Sequence, residues 1–212
     1  MTNHPRDFNN LAKTVYAPVN PVIARQIVDR CKIKRGTCID IGSGPALLTI
    51  ALAEITDLSI YALDISEDMC EIAKENIDAA GLSGRITPIV GDIHDMPFDD
   101  NAADLTVSRG SVFFWDDRAD AFKEIYRVLK PDGRGYIGGG FGTAELRAKI
   151  TEEMEKRDAN WKKDVKERIG KNGVERLKGA LDEAKVPNYE LIHDDSGLWT
   201  LIGRWKNELQ HL

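Results

Sequence analysis

The sequence predicts a doubly wound α/β fold: a seven-stranded, mostly parallel sheet with helices on both faces, ending in a C-terminal antiparallel hairpin. Three observations carry that expectation. Short apolar runs alternate with amphipathic helical patterns between residues 37 and 140, and such alternation buries its apolar faces when parallel strands lie between layers of helices. Two late apolar runs, 189–193 and 198–205, are close enough in sequence to pair antiparallel. No internal repeat or low-complexity tract interrupts the 212 residues, a length that one layered domain accommodates.

The elements are expected in this order. A first helix opens at Asn20-Pro21, a side-chain cap followed by a proline whose missing N–H is harmless there, and turns Val22, Ile23, Ile27, Val28 and Cys31 to one side. With the arm before it, this makes an N-terminal segment of residues 1–36. The core, 37–142, begins with a strand at 37–41, a helix at 45–55, a strand at 59–63, a helix at 67–80 ended by Gly81, and a strand at 86–90. A strand at 103–108 precedes a helix from 118 to 129 with Phe122, Ile125, Val128 and Leu129 buried, which Pro131 and Gly133 are expected to stop. A strand at 135–140 follows. Residues 143–186 look helical and highly charged, broken near 170–173. They read either as a solvated helical pair over the sheet edge or as a substrate cap using Trp161 and its basic residues. Residues 187–212 hold the hairpin.

Composition narrows the function. With 29 Lys or Arg against 35 Asp or Glu the net charge is -6, which disfavours an electrostatic grip on nucleic acid. The charge is uneven: residues 1–39 carry seven basic and two acidic side chains, 40–142 eight and nineteen. The first ten residues are polar, with no secretory signal pattern, and no apolar stretch is long enough to span a bilayer. Cys31, Cys38 and Cys70 are odd in number, lack a CxxC pair and have no ligand-spaced histidines. They are expected to be structural thiols in a reducing cytoplasm, with no metal site and no membrane partner.

Three strand ends carry the chemistry. Cys38-Ile39-Asp40-Ile41-Gly42-Ser43-Gly44-Pro45-Ala46 runs from an apolar strand into a glycine loop and a helix start, where backbone N–H groups lie free to meet a ligand. It departs from the dinucleotide fingerprint GxGxxG, because Leu47 stands at the third glycine. A tight strand-to-helix turn would use the same glycines, and Asp40 can either support the loop or meet a cation. Asp64 follows the second strand about 20 residues beyond the loop, where an acid can accept both hydroxyls of a ribose; a helix-start acid would look alike beside Ser66, Glu67 and Asp68. The third is Val90-Gly91-Asp92-Ile93-His94-Asp95-Met96-Pro97-Phe98 at the end of the third strand, whose acid can receive an adenine amine while Ile93 and Met69 sandwich the ring. Ligands of open α/β sheets bind outside those carboxyl ends.

Together these segments resemble the class I S-adenosylmethionine-dependent methyltransferases, in particular their ubiquinone-biosynthesis-like small-molecule branch. The resemblance runs from Thr37 to Gly140 and rests on Asp40-Ile41-Gly42-Ser43-Gly44, Ala62-Leu63-Asp64-Ile65-Ser66 with Met69, Gly91-Asp92 with Met96-Pro97-Phe98, and Phe122-Lys123-Glu124-Ile125-Tyr126-Arg127-Val128-Leu129-Lys130-Pro131-Asp132-Gly133. It implies a Rossmann-like fold and S-adenosylmethionine as cofactor, with S-adenosylhomocysteine released. Asp40, Gly42 and Gly44 would frame the methionine moiety, with Ser43 beside them; Asp64 would take the ribose hydroxyls, with Ile65 and Met69 alongside; Asp92 and the Ile93 backbone would hold adenine. The Arg109 backbone would face the amino-acid end. Ala46 stands where the family places a third loop glycine.

Other residues are read on their own chemistry. The Arg109 side chain can pair with a substrate anion, and Phe113, Phe114 and Trp115 can wall a pocket or cover a cation; packing under the next helix is the alternative, and for Phe114 the favoured one. The segment lacks the Asn-Pro-Pro-Tyr pattern of amino-group methylation. His94 is the first candidate for acid–base work, since it neighbours the adenine acid and titrates near neutrality; a hydrogen-bonded loop histidine is the plainer alternative. Tyr16 can fold over the cofactor as a lid or simply pack. The expected enzyme transfers a methyl group to a small-molecule acceptor and is a monomer or homodimer. One rival is a non-catalytic S-adenosylmethionine-binding or scaffold protein, which would bind cofactor and methylate nothing. The other, a nicotinamide-dependent dehydrogenase, has the wrong glycine spacing.

Overall fold

The computed structural model describes residues 4–204; Trp205, the expected end of the last strand, and His211 lie outside them. Seven strands form one sheet: β1 (Arg35–Ile41), β2 (Asp57–Asp64), β3 (Ile86–Val90), β4 (Ala103–Arg109), β5 (Leu129–Gly140), β6 (Tyr189–Asp194) and β7 (Gly197–Gly203). Their spatial order is β3-β2-β1-β4-β5-β7-β6. The first five run parallel, while β7 lies antiparallel between β5 and β6. The order reverses between β1 and β4, which opens a crevice at their carboxyl ends.

The helices are α1 (Pro5–Thr14), α2 (Val19–Cys31), α3 (Leu47–Glu54), α4 (Glu67–Ala79), α5 (Arg118–Val128), α6 (Ala144–Glu155), α7 (Trp161–Ile169) and α8 (Lys171–Glu183). Strand burial follows the layered plan: β1 is buried from Cys38 to Ile41 and every residue of β7 is buried. At the core of that half, Trp199 stacks on Tyr136 with ring centroids 4.7 Å apart. Each ring is about 1% exposed, and full burial of such a side chain contributes roughly 1.5–3 kcal/mol.

Several expectations are corrected. The N-terminal arm is itself helical: His4 caps α1 by accepting from the Arg6 N–H, and Pro5 begins it. Helix α2 starts at Val19 with Pro18 at its cap, so Asn20 lies inside the helix and is buried. Pro45 precedes α3 instead of starting it, because Ala46 takes a left-handed conformation and delays the first helical residue to Leu47. Helix α5 ends at Val128, and Leu129 is already extended. Pro131 and Gly133 therefore belong to an irregular entry into β5, whose register with β4 shifts between Ala103 and Leu105. The charged stretch holds three helices, not a pair, with Gly170 between α7 and α8 and Gly173 within α8.

Candidate active site

The glycine loop sits at the β1 end of the crevice. Gly42 and Gly44 have φ of +64° and +53°, a region side chains rarely adopt. Gly42 is also required by packing, because a Cβ there would collide with the Ser111 side chain. Ser111 belongs to a short turn after β4, and its Oγ donates to the Ile41 carbonyl at 3.0 Å and lies 2.6 Å from Ser108 Oγ, tying β1 to β4 under the loop. Ala46 occupies φ +59°, which a non-glycine residue adopts at roughly 1 kcal/mol. The residue at the third glycine of the family pattern is thus an alanine that holds a left-handed backbone.

Asp64, the last residue of β2, pins that loop. Its Oδ2 accepts from the Gly44 N–H at 2.8 Å and its Oδ1 from the Ser66 N–H at 3.0 Å. A carboxylate offers about four lone-pair sites, so two amides fix its orientation and leave capacity for a diol. Ser66, not Asp64, caps α4, accepting from the Met69 N–H at 3.3 Å. Around it the rim is apolar and open: Ile65 is 70% exposed and Val90 49%. Ile93 is buried and Met69 half-buried.

Asp92 and His94 form a unit at the β3 end. Asp92 Oδ1 accepts from the His94 N–H at 2.9 Å and lies 2.7 Å from His94 Nδ1, while His94 Nε2 lies 3.1 Å from the Asp117 carbonyl. Both ring nitrogens face acceptors. Burial alone would lower the His94 pKa, yet the Asp92 carboxylate outweighs it and the net shift is upward. The His94 bonds in turn hold the Asp92 carboxyl below its ordinary range.

Asp40 does not reach the loop surface. It is 2% exposed and accepts from Thr49 Oγ1 of α3 at 2.5 Å, an anchor beneath the loop. Burial raises its pKa to about 7, against the Thr49 hydrogen bond, with Asp64 adding to the rise and Arg109 opposing it. Arg109, at the end of β4, donates from Nε to the Gly140 carbonyl at 3.3 Å and reaches Asn20 Oδ1 only at 3.5 Å, a marginal bond. Its guanidinium lies 5.7 Å from the Tyr16 ring centre. Burial lowers its pKa to about 10, with Tyr16 and Asp40 pulling it back up.

The aromatic residues divide differently from expectation. Tyr16 packs on Arg109 and lies beside the Trp161 side chain, and Trp161 meets Phe141 edge to face at 5.7 Å. The arm residue that approaches the glycine loop is Phe8, whose ring would lie 3.6 Å from a Cβ on Gly44. Phe114 does not pack under α5: it is 62% exposed and carries the Arg168 guanidinium 4.7 Å from its ring centre. Trp115 takes the buried place, edge-on to Phe122 at 6.1 Å.

An adenosyl-methionine group fits this arrangement. Spare carboxylate lone pairs on Asp64, uncovered apolar side chains at the ends of β2 and β3, and a buried Ser43 Oγ without a hydrogen-bond partner lie at the carboxyl ends of three neighbouring strands. The sequence does not single out Phe8, and it includes Val90 in the third segment without giving it a role. Phe8 was findable, since Phe8, Leu11, Ala12 and Val15 recur at helical spacing.

Known proteins agree with that fit. A family model described as a methyltransferase domain matches residues 39–137. A Methanococcus maripaludis protein assigned as an S-adenosyl-L-methionine-dependent methyltransferase is 47% identical in sequence, with 99% of each chain covered and a TM-score of 0.94. The ubiquinone/menaquinone biosynthesis C-methyltransferase of Geotalea daltonii is 36% identical over 104 residues, 48% of this chain and 44% of that one. A demethylmenaquinone methyltransferase of Anoxybacillus flavithermus is 32% identical over 113 residues, 52% and 47% of the two chains. The chain thus spans about half the length of the curated relatives it matches. Likeness across the whole fold, joined to a strand-end geometry made for an adenosyl group, places the chain in the class I S-adenosylmethionine-dependent methyltransferases, with a core similar to the ubiquinone-biosynthesis branch.

Proposed function

We propose that the protein transfers the methyl group of S-adenosylmethionine to a small-molecule acceptor at the carboxyl ends of β4 and β5, releasing S-adenosylhomocysteine. The observation that carries the small-acceptor reading is the roof over that end. Tyr16 lies against the half-buried Arg109, Trp161 beside Tyr16, and Phe141 edge-on to Trp161, and an aromatic wall of this kind suits a compact acceptor better than a polymer. In this reading residues 143–186 are a cap on the core 37–142.

The sulfonium cofactor supplies an activated methyl group, so the chain's task is alignment and exclusion of water. Asp64 orients the ribose and, through the Gly44 amide, the loop; Asp92 and the Ile93 backbone receive adenine between Ile93, Met69 and Ile65. Gly42, Ser43 and Gly44 shape the methionine end, with Asp40 bracing them from below. Arg109 faces the acceptor side. His94 was the first candidate for a base, but its two acceptor contacts favour the charged ring, so we assign it to ordering the Asp92 loop. The three cysteines are buried and unpaired, which supports a cytoplasmic setting.

Calorimetric titration with S-adenosylmethionine, S-adenosylhomocysteine and NAD in parallel tests the reading, followed by an acceptor screen with the protein at cofactor saturation. Micromolar binding of both sulfur nucleosides but not NAD, with methylation of a small acceptor, is the expected result. Cofactor binding with no turnover across the screen would point to a scaffold instead.

A further inference from the structure

Beside the acceptor end lies a second cavity, of about 210 Å³, between the start of α5 and the α7–α8 corner. It is lined by Phe113, Arg118, Arg168, Gly173, Arg176 and Leu177, so half of its lining side chains are guanidinium groups. Phe113 and Gly173 in its lining pack against the strand ends. Phe113 packs so tightly on β5 that a Cβ on Gly139 would fall 2.6 Å from its ring, and one on Gly173 would fall 3.2 Å from Leu198 of β7.

The arginines are under-matched by acids. Arg176 reaches Glu167 Oε1 at 3.0 Å and its carbonyl at 2.7 Å. Arg118 donates to the Val112 and Phe113 carbonyls at 2.9 and 2.8 Å and has no carboxylate within ion-pair distance among the described residues. Arg168 likewise has none there and rests on the Phe114 ring. Burial lowers the Arg118 pKa, and the nearby Arg176 charge lowers it further. Even with Glu167 paired to Arg176 and the Asp116 charge near Arg118, three guanidinium groups around one concavity, in a chain of net charge -6, leave it locally positive. Guanidinium, not ammonium, is the group whose flat fork matches carboxylate or phosphate oxygens in pairs.

We propose that this arginine cavity binds the oxyanion of the methyl acceptor, making that acceptor an anionic small molecule held by a carboxylate or phosphate group while its nucleophile reaches past Phe113 toward the cofactor. The proposal rests on the methyltransferase reading above for the identity of the bound molecule. It does not rest on it for the existence of the anion site.

The test uses the full chain saturated with S-adenosylhomocysteine at low ionic strength, where exposed charge is least screened. Inorganic phosphate and malonate are titrated separately by calorimetry into wild type, Arg168→Gln, Arg176→Gln and the remote control Lys149→Gln. Arg168→Gln is the principal variant, since its partner is an exposed ring and the fold does not hang on it. Saturable binding of at least one anion to wild type and to the control, weakened about tenfold or more in both arginine variants, is expected. S-adenosylhomocysteine affinity should be unchanged throughout. Phosphate or malonate winning the comparison tells which oxyanion the acceptor bears. Binding of neither anion to wild type, or equal binding by wild type and Arg168→Gln, overturns the site. Failure of S-adenosylhomocysteine to bind folded wild type would instead strike the methyltransferase reading, with the anion titrations still read on their own.

Discussion

Asp64 is where one substitution separates the cofactor assignment from mere loop clamping. Its two oxygens each hold one backbone amide, Gly44 at 2.8 Å and Ser66 at 3.0 Å, and the ribose would take the remaining lone pairs. A hydrogen bond to a charged acceptor contributes about 1.5–3 kcal/mol. The side chain is half-buried, so the lower end applies and loss of two hydroxyl contacts amounts to about 3 kcal/mol, or roughly 100-fold in Kd. Asp64→Ala also releases the two amides to water, which should lower stability by about 1–3 kcal/mol. Thermal unfolding by circular dichroism establishes that the variant is folded, and calorimetric titration with S-adenosylhomocysteine reads the affinity. Asp64→Asn keeps one acceptor oxygen for an amide and is expected to fall between the two. A folded Asp64→Ala whose Kd stays within about threefold of wild type would refute the ribose role and leave the acid as a loop clamp.

Three further outcomes follow from the same geometry. Asp40 keeps its proton to about pH 7 in the folded chain, against an ordinary value of 3.8, so the folded state binds more protons over that interval. Stability contributed by this group therefore falls as pH rises from about 4 to 7, by up to roughly 4 kcal/mol; urea unfolding of Asp40→Asn across that range should lack this slope, and parallel curves would sink the assignment. Arg109→Ala should leave S-adenosylhomocysteine affinity within about threefold and lower acceptor kcat/KM at least tenfold; the reverse would place the guanidinium on the methionine carboxylate. His94→Asn should weaken S-adenosylhomocysteine binding by less than about tenfold, since it loosens the Asp92 loop without removing a ligand contact. Its pH–rate profile should keep the wild-type shape, and loss of a limb near neutrality would restore the ring as a base.

What the sequence disclosed and what it withheld differ in physical kind. The strand at 86–90 is observed with those bounds, and no end of β1, β2 or β4 differs from expectation by more than two residues, because buried strands must be apolar runs whatever surrounds them. The loop was legible for a similar reason: positive φ at Gly42 and Gly44 restricts residue choice at the position itself. Even Ala46, which stands at the third glycine, holds a left-handed backbone. Helix α1 escaped because its periodic signal is brief and its value is distant: Asn76 donates to Asn9 at 3.0 Å and to the Pro45 carbonyl at 2.8 Å, and Arg6 pairs with Glu75. No local pattern announces contacts spanning 67 residues.

The acceptor side is the extreme case of that rule. Arg118, Arg168 and Arg176 come from three helices, and Tyr16 meets Trp161 across most of the chain. Each residue alone reads as a solvated charge or a packing aromatic, and only convergence turns them into a pocket. Cofactor recognition here uses backbone shape at consecutive strand ends, so it is written in short motifs. On the proposed reading, acceptor recognition uses side chains assembled from residues 143–186, and two chains sharing every cofactor motif can differ in all of them. The residues that decide the substrate of this enzyme should therefore be sought in residues 143–186 and the turn after β4, where the glycine motif says nothing.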